Sequence, residues 1–426
     1  MAKPIFLLEN DAEIWVCSRW FLRRRANMAE CTARQHRVSA LSPPSLHSVP
    51  YWRLSTFYFA YFAYVGATGP YFSLYLASLG LAAAQIGVLL SLGSLMRVIG
   101  PNVWGWVADR TRERARIISV TLALGASCFG GFFFVDSFWG LFALLLATGC
   151  FASASMPLTE SLTLAHLRGA TSRYGSIRLW GSVGFIITVT LVGYALDSLP
   201  VASLLWIVLA SYALSWACAL AVPDAPAAAG HADPEPVWAI LRRPEVAALL
   251  GACFLMSLAH GPQYAFFSIY LVDHGYSKAA VGWMWTYGVI AEIAVFLLMP
   301  AMLRRYSLSA ILLVCFAATV VRFLTIGWGV DLAPVVFFAQ LLHGLSFGAY
   351  HAAAVTAIHR WFRGVHQVRG QAIYLSVSFG AGGVLGSMLS GLGWDSVGPA
   401  WTFTAAAVAA CVGYVLVDWR VRPARI

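Results

Sequence analysis

Apolar runs recur along this chain at short intervals, each bounded by a few polar or charged residues. A bilayer hydrocarbon core of about 30 Å asks for about 20 consecutive apolar residues in a helix. Twelve runs meet that length. The first six are Trp52–Ser78, Ala84–Ala108, Ile117–Val135, Phe138–Leu164, Tyr174–Leu196 and Val201–Val222. The second six are Val246–Val272, Ala279–Met302, Ser309–Gly329, Ala333–Ile358, Gly370–Leu392 and Ser396–Val417. Between the sets, Pro223–Arg243 is rich in alanine, proline and charge, too polar to span and of linker composition.

The charges between the runs orient them. Alternate loops carry Arg110, Arg112, Arg114 and Arg116, then Arg168 and Arg173, Arg242 and Arg243, Arg304 and Arg305, and Arg360, Arg363 and Arg369, with Arg420, Arg422 and Arg425 at the end. The intervening loops offer Asp136, Asp197, Asp273, Asp331 and Asp395, with Lys278 the clear cation. By the positive-inside rule both termini and the linker are cytoplasmic, which agrees with an even number of spans. Residues 1–50 fit neither a span nor a signal peptide and read as a basic cytoplasmic tail, or as sequence upstream of a true start at Met28. The organisation predicted is a tail over 1–50, a six-helix bundle over 51–222, a linker over 223–243, a second six-helix bundle over 244–419 and a cytoplasmic tail over 420–426.

A shift of about 195 residues overlays the two halves. Phe72-Ser73-Leu74-Tyr75-Leu76 meets Phe267-Ser268-Ile269-Tyr270-Leu271, and Gly80, Gly87, Gly93 and Gly175 meet Gly275, Gly282, Gly288 and Gly370. The fold expected is therefore an all-α membrane protein, with twelve transmembrane helices in two parallel six-helix repeats. Such halves describe a transporter that rocks about a midplane site. The same register lays Arg97 on Glu292, placing opposite charges at equivalent depth facing a common cavity.

Composition excludes the main competitors. The chain is 60% hydrophobic and 11% charged, with a mean hydropathy of +0.74, so lipid is the solvent for most of its surface. Its net charge of +10 does not point to nucleic acid, because the arginines sit at the ends of apolar runs; a basic face toward an anionic cytoplasmic leaflet accounts for it. The eight cysteines, Cys17, Cys31, Cys128, Cys150, Cys218, Cys253, Cys315 and Cys411, are dispersed without metal-ligand spacing, so buried thiols and no metal are expected. No His-Glu-x-x-His and no metal-ligand cluster occurs in the sequence, which argues against an intramembrane metalloenzyme. Gly380-Ala381-Gly382-Gly383 with Gly386 lies inside an apolar run and reads as close helix packing, not a phosphate loop.

An ionisable group at mid-bilayer costs at least ~2.5 kcal/mol and marks a functional site unless it only ties helices together. Those in the runs are Arg97, Glu160, Arg178, Glu292 and Arg322, with His166, His260, His343 and His351. For each histidine the competing reading is a neutral imidazole bonded to a neighbouring helix. Glu160 and Arg178 lie on adjacent antiparallel spans, so they are expected to pair when empty and to open to a polar solute. Glu292 is the first choice of proton carrier, since burial and a nearby cation pull its proton affinity in opposite directions. Aromatic residues gather in the first and seventh spans, including Tyr58, Tyr61, Tyr64, Tyr71, Tyr264, Phe266 and Phe267; they form either packing surface or a stacking wall for a ring.

At Gly105-Trp106-Val107-Ala108-Asp109-Arg110, followed by Arg112 and Arg114, the chain resembles the signature loop of the major facilitator superfamily. Pro157-Leu158-Thr159-Glu160 and Tyr174-Gly175-Ser176-Ile177-Arg178-Leu179-Trp180-Gly181-Ser182-Val183-Gly184 resemble lactose-permease relatives and, more closely, the 3-phenylpropionate permease group. The resemblance implies substrate-binding roles for Glu160 and Arg178; Arg97, by its register with Glu292, and Tyr264, from the aromatic cluster, are the further candidates for substrate binding. It implies binding or proton coupling for Glu292, Arg322 and His343, and conformational gating for Gly105, Asp109 and Arg110. Where the sugar symporter has a proton-releasing glutamate, three residues after the matching histidine, this chain has Ser346, so coupling falls to Glu292 first and His343 second. The fifth span lacks the Gly-Pro element of many drug antiporters, which favours import.

The function expected is proton-coupled uptake of a small organic solute, an aromatic carboxylate such as 3-phenylpropionate. Its partners would be that solute, protons and the lipid bilayer, with no nucleic acid. The proton gradient would be the energy source without any cofactor, and a monomer in the inner (plasma) membrane the working form. The alternatives are an oligosaccharide or nucleoside symporter and, in another class, a transport-inactive membrane sensor.

Overall fold

The computed structural model describes residues 49–167, 173–225, 237–363 and 366–424. Two units are distinguished, Met1–Val49 and Pro50–Ile426, and the fold is that of the second. The expected N-terminal tail up to residue 48, with Met28, Cys17 and Cys31, lies outside the described residues, as do Arg168, residues 226–236 of the linker and Arg425.

Among the described residues the chain is helical with short turns, and no strand forms. The first half holds α1 (Tyr51–Ser78), α2 (Ala83–Thr111), α3 (Arg114–Gly130), α4 (Phe138–Leu167), α5 (Tyr174–Ser198) and α6 (Leu204–Leu220). After a single turn at Trp238–Leu241, the second half holds α7 (Pro244–Ala259), α8 (Gly261–Asp273), α9 (Lys278–Arg305) and α10 (Leu308–Gly329). It continues with α11 (Ala333–Leu341), α12 (Tyr350–Trp361), α13 (His366–Leu375), α14 (Gly383–Ser396) and α15 (Pro399–Leu416). Among the described residues, eleven stretches are long and apolar enough to cross a bilayer, with α7 and α8, α11 and α12, and α13 and α14 each making one crossing. The twelfth is α1, whose 28 residues suffice in length; its tyrosines and hydroxyl residues lower its hydropathy.

Three predicted spans are interrupted away from their ends. Val246–Val272 is interrupted at His260, between α7 and α8. Pro262 lacks the N–H that would continue the ladder, and its ring crowds the preceding turn. Ala333–Ile358 and Gly370–Leu392 each contain a π-helical segment, Gly344–Ala349 and Ser376–Gly382, of the kind that concentrates at functional sites.

The repeat has physical counterparts. Gly80 and Gly275 both adopt left-handed backbone, at φ 76° and 82°, ending α1 and α8 and turning the chain toward α2 and α9. An L side chain there costs roughly 1–2 kcal/mol. Gly275→Ala is therefore expected to lower the thermal midpoint of the detergent-solubilised protein; an unchanged midpoint would show that the turn relaxes without cost.

Lipid gives no hydrophobic reward for helix association, so close approach of small residues carries it. A methyl group at Gly382 would meet Phe254 O at 2.5 Å, one at Gly386 would meet Leu258 O at 2.6 Å, and one at Gly383 would meet Ser94 Oγ at 2.7 Å. The glycine-rich run is thus a helix-packing surface, as its position predicted. Across the halves, α2 packs along α14 and α5 along α9, with α1 against α8. Close contacts on this seam run from the end holding Ala83, Asp197, Lys278 and Asp395 down to Ser94 beside Gly383 and to the Thr190 and Thr286 hydroxyls, 3.0 Å apart.

Candidate functional site

Below that seam, the second and fifth crossings of the first half and the seventh, eighth, ninth and tenth crossings direct charged and aromatic side chains inward. Arg178 lies just over one turn into α5. Its guanidinium stacks over the Phe62 ring, 4.1 Å from the centroid, with Tyr58 at 5.8 Å. Among the described residues its N–H groups make no hydrogen bond or ion pair, so its donor edge is unclaimed. Glu160, on α4, instead accepts a hydrogen bond from the Tyr174 hydroxyl at 3.3 Å.

The direct Glu160–Arg178 pair expected from sequence is thus absent in this state. Phe62 holds one face of the guanidinium, and Tyr174 holds the carboxylate. The two charges remain within electrostatic reach, and Arg178 reaches Glu292 of the other half as well. Phe62 and Tyr174 are contacts that sequence reasoning did not single out. Phe62 was one aromatic among many on α1, and Tyr174 appeared only inside the Tyr174–Gly184 motif.

Glu292 and His343, the two proton carriers proposed from sequence, meet across α9 and the turn before the first π segment. His343 Nε2 lies 3.9 Å from Glu292 Oε2, with the side chains 9% and 22% exposed. His343 Nδ1 is buried, and among the described residues it has no hydrogen-bond partner. Gly348 lies so close that a methyl group there would meet Glu292 Cγ at 3.1 Å. The π segment therefore sets the backbone spacing on the face that holds this pair.

Arg322 is fully buried. It donates to Ala339 O at 3.0 Å, to Ser346 Oγ at 3.2 Å and to Gln340 Oε1 at 3.2 Å, and lies 3.5 Å from His260 Nε2. His260 Nδ1 lies 2.8 Å from Met256 O. Together these contacts fit a neutral imidazole that donates through Nδ1 and accepts through Nε2. Among the described residues no carboxylate lies within ion-pair distance of Arg322, because the position that could hold one is Ser346. An arginine does not give up its proton, so Arg322 places a fixed positive charge here.

The aromatic residues divide. Tyr58, Tyr71, Phe266 and Phe267 are fully buried packing residues, and the Tyr71 hydroxyl donates to Val189 O at 2.7 Å and Lys278 O at 3.2 Å. Tyr61 and Tyr64 are half-buried. Tyr264 keeps 42% of its surface exposed. Its ring stacks near-parallel to Trp285 at 6.2 Å. Arg97, exposed on α2, is in electrostatic reach of Tyr61, Tyr64 and Tyr264, and Tyr264 is also within reach of Glu292 and Arg322. Arg97, Arg178, Glu292 and Tyr264, drawn from both halves, are thus linked by electrostatic reach. The other histidines fit the packing reading, with His166 Nε2 2.9 Å from Pro223 O and His351 Nδ1 2.9 Å from the Tyr374 hydroxyl.

At the arginine-bearing end, Gly105 and Asp109 line a cavity of about 170 Å³ with Arg114, Pro157 and Leu158. Asp109 lies 3.9 Å from Arg114, and Arg110 stacks on Trp106 at 3.9 Å. This region joins the loop after α2 to α4, the helix that carries Glu160. Of the described cysteines, Cys253 and Cys315 are buried and Cys128, Cys150 and Cys218 half-buried, whereas Cys411 is exposed on α15, contrary to the expectation of uniformly buried thiols.

Comparison with known proteins places this architecture. The family described as "MFS_1 like family" matches residues 51–405. The Escherichia coli (strain K12) protein named "Probable 3-phenylpropionic acid transporter" is 30% identical over 355 residues, 80% of this chain and 90% of that protein. "Maltose permease" of Geobacillus stearothermophilus is 28% identical over 345 residues, 79% of this chain and 85% of that protein. The crystal structure of nucleoside transporter NupG superimposes with a TM-score of 0.76 over 88% of this chain and 99% of that one, at 17% identity, a likeness of fold alone. The twelve crossings, the repeated halves and the match over residues 51–405 agree: this chain belongs to the MFS_1-like family and is a multi-pass membrane protein, a secondary transporter of the major facilitator type.

Proposed function

We propose that this transporter imports a small aromatic carboxylate, of the 3-phenylpropionate kind, together with a proton. The observation that carries this reading is Arg178: a guanidinium stacked on Phe62, with its donor edge unclaimed, offers two parallel N–H groups to a carboxylate and an aromatic wall to a ring. The relative named for 3-phenylpropionic acid supports the same substrate class.

Glu292 competes with the substrate for Arg178. When it takes a proton from outside, its negative charge no longer attracts the guanidinium, and the solute's carboxylate takes that place. Release of the solute inside returns Arg178 to Glu292 and sends the proton to the cytoplasm. His343, 3.9 Å away, passes the proton or steadies the carboxylate. Arg322 supplies fixed positive charge behind the pair. Glu160, Arg97 and Tyr264 complete the solute's surroundings, and Gly105, Asp109 and Arg110, on the last turns of α2, belong to the region that opens and closes the cytoplasmic side. No cofactor is needed beyond the proton gradient. The working form is a monomer in the inner (plasma) membrane with both termini cytoplasmic, because the arginine-bearing loops share one end.

A second reading is a neutral hydroxylated solute, a sugar or nucleoside. The Glu160–Tyr174 pair, whose oxygens suit hydroxyl groups, and the likeness to a maltose permease favour it. Uptake of radiolabelled 3-phenylpropionate into right-side-out vesicles, with an inward proton gradient, separates the two. Accumulation that collapses with a protonophore is expected. Its absence, with maltose or a nucleoside accumulating instead, would move the assignment to the second reading. Binding of any of these solutes without uptake would make the protein a sensor.

A further inference from the structure

We infer that Asp197 and Asp395 are the positioning residues that close the extracytoplasmic side of this transporter, each clasping the first turn of a helix from the opposite half. Every helix leaves its first four N–H groups without partners in its own ladder. In α9, Ser277 Oγ takes only the Ala280 N–H, at 3.1 Å. The Lys278 and Ala279 N–H groups donate instead to the Asp197 carboxylate, at 2.7 and 3.1 Å. Asp197 stands at the end of α5, in the other half. In α2, the Gln85 side chain accepts from Ala82 N at 3.0 Å, and Ala83 N donates to Asp395 Oδ2 at 3.0 Å. Asp395 stands at the end of α14, again in the other half.

The two clasps are copies. Each aspartate follows a glycine by four residues, in Gly193-Tyr194-Ala195-Leu196-Asp197 and Gly391-Leu392-Gly393-Trp394-Asp395. A methyl group at Gly193 would meet Lys278 O at 2.6 Å and Ala279 Cα at 2.9 Å; one at Gly391 would meet Ala83 O at 2.5 Å and Ala84 Cα at 3.1 Å. In both cases the glycine admits the opposing helix start, and the aspartate one turn later receives its N–H groups. A carboxylate at a helix N-terminus also meets the positive end of the helix dipole. The clasps sit at the end opposite the arginine-bearing loops, on the outer side in the orientation proposed above. Admitting solute from that side requires both carboxylates to leave their helix ends for water, and closure restores them.

The test uses the full-length protein in right-side-out vesicles and needs no substrate, so it is independent of the substrate assignment. Ser94→Cys, within the α2–α14 seam beside Gly383, reports opening through its rate of modification by a membrane-impermeant maleimide added outside, read by mass spectrometry with the native cysteines as internal reference. Loss of a cap of this kind is worth about a 5- to 30-fold change in population. Asp197→Ala and Asp395→Ala are each expected to raise the labelling rate by about that factor, the double variant more, and Asp→Asn, which keeps an acceptor but no charge, by less. Monodisperse elution in detergent establishes that each variant is folded; if an alanine variant is not, the asparagine variant carries the test. Unchanged labelling in folded variants, or a rise seen only with reagent added on the cytoplasmic side, would overturn the inference.

Discussion

Arg178→Ala is expected to weaken binding of 3-phenylpropionate at least ~30-fold, with uptake at low substrate falling in proportion. Removing one partner of a desolvated, hydrogen-bonded charge pair costs about 2–5 kcal/mol, and ~2 kcal/mol corresponds to that factor. The loss would be one of recognition and not of folding. The guanidinium is half-buried and bonds to no protein group, so its removal leaves no buried partner unsatisfied, only the bare face of Phe62. Arg178→Lys keeps the charge but loses the planar fork and the stacking, and an intermediate defect of about tenfold is expected. Equilibrium binding of labelled solute to purified protein measures both. The uncharged amide of the same acid supplies the control, since its affinity should change little in either variant. Wild-type affinity in Arg178→Lys, or an equal loss for acid and amide, would show that Arg178 does not read the carboxylate.

How far the sequence foretold this arrangement depends on the scale. Span limits emerged almost to the residue where a polar loop is abrupt. Ser309–Gly329 became Leu308–Gly329, where Ser307 accepts the Ala310 N–H and fixes the start. The break at His260 is legible in His260-Gly261-Pro262, yet the apolar pattern continues across it and predicts one unbroken span. The π segments were not legible: the first answers to what α9 presents, where Gly344 faces Ala291 O and Gly348 faces Glu292, and the second to α2 and α7, where Gly380 faces Val98 and Gly382 faces Phe254 O, and local sequence carries no record of a facing helix. The interior charges stood out because each is costly in lipid, yet their partners did not. That Arg178 lies on Phe62 and not against Glu160 depends on how α1, α4 and α5 are rotated about their axes. The paired clasps escaped for a simpler reason. The first helices of each half align at a shift of 195, as in Ala83 and Lys278, whereas Asp197 and Asp395 align at 198, and three extra residues in between take them out of register.

Glu292→Gln is expected to abolish uphill accumulation while sparing exchange of labelled for unlabelled solute. The amide keeps the shape of the side chain and its place beside His343, 3.9 Å from the carboxylate oxygen, but it neither binds nor releases a proton. With one proton per carboxylate the loaded carrier gains no net charge, so the pH gradient alone sets the limit, at about tenfold accumulation per pH unit. In Glu292→Gln that ratio should fall to one at every pH gradient, while counterflow continues, because Arg178 is permanently relieved of its competitor and the solute still binds. His343→Gln should only slow uptake, since the histidine assists the carboxylate and does not replace it. These outcomes separate coupling from binding: the Arg178 variants lose affinity, whereas the Glu292 variant keeps affinity and loses work. Gradient-driven accumulation by Glu292→Gln would remove this carboxylate from the proton path and leave His343, whose buried Nδ1 has no hydrogen-bond partner among the described residues, as the next group to test.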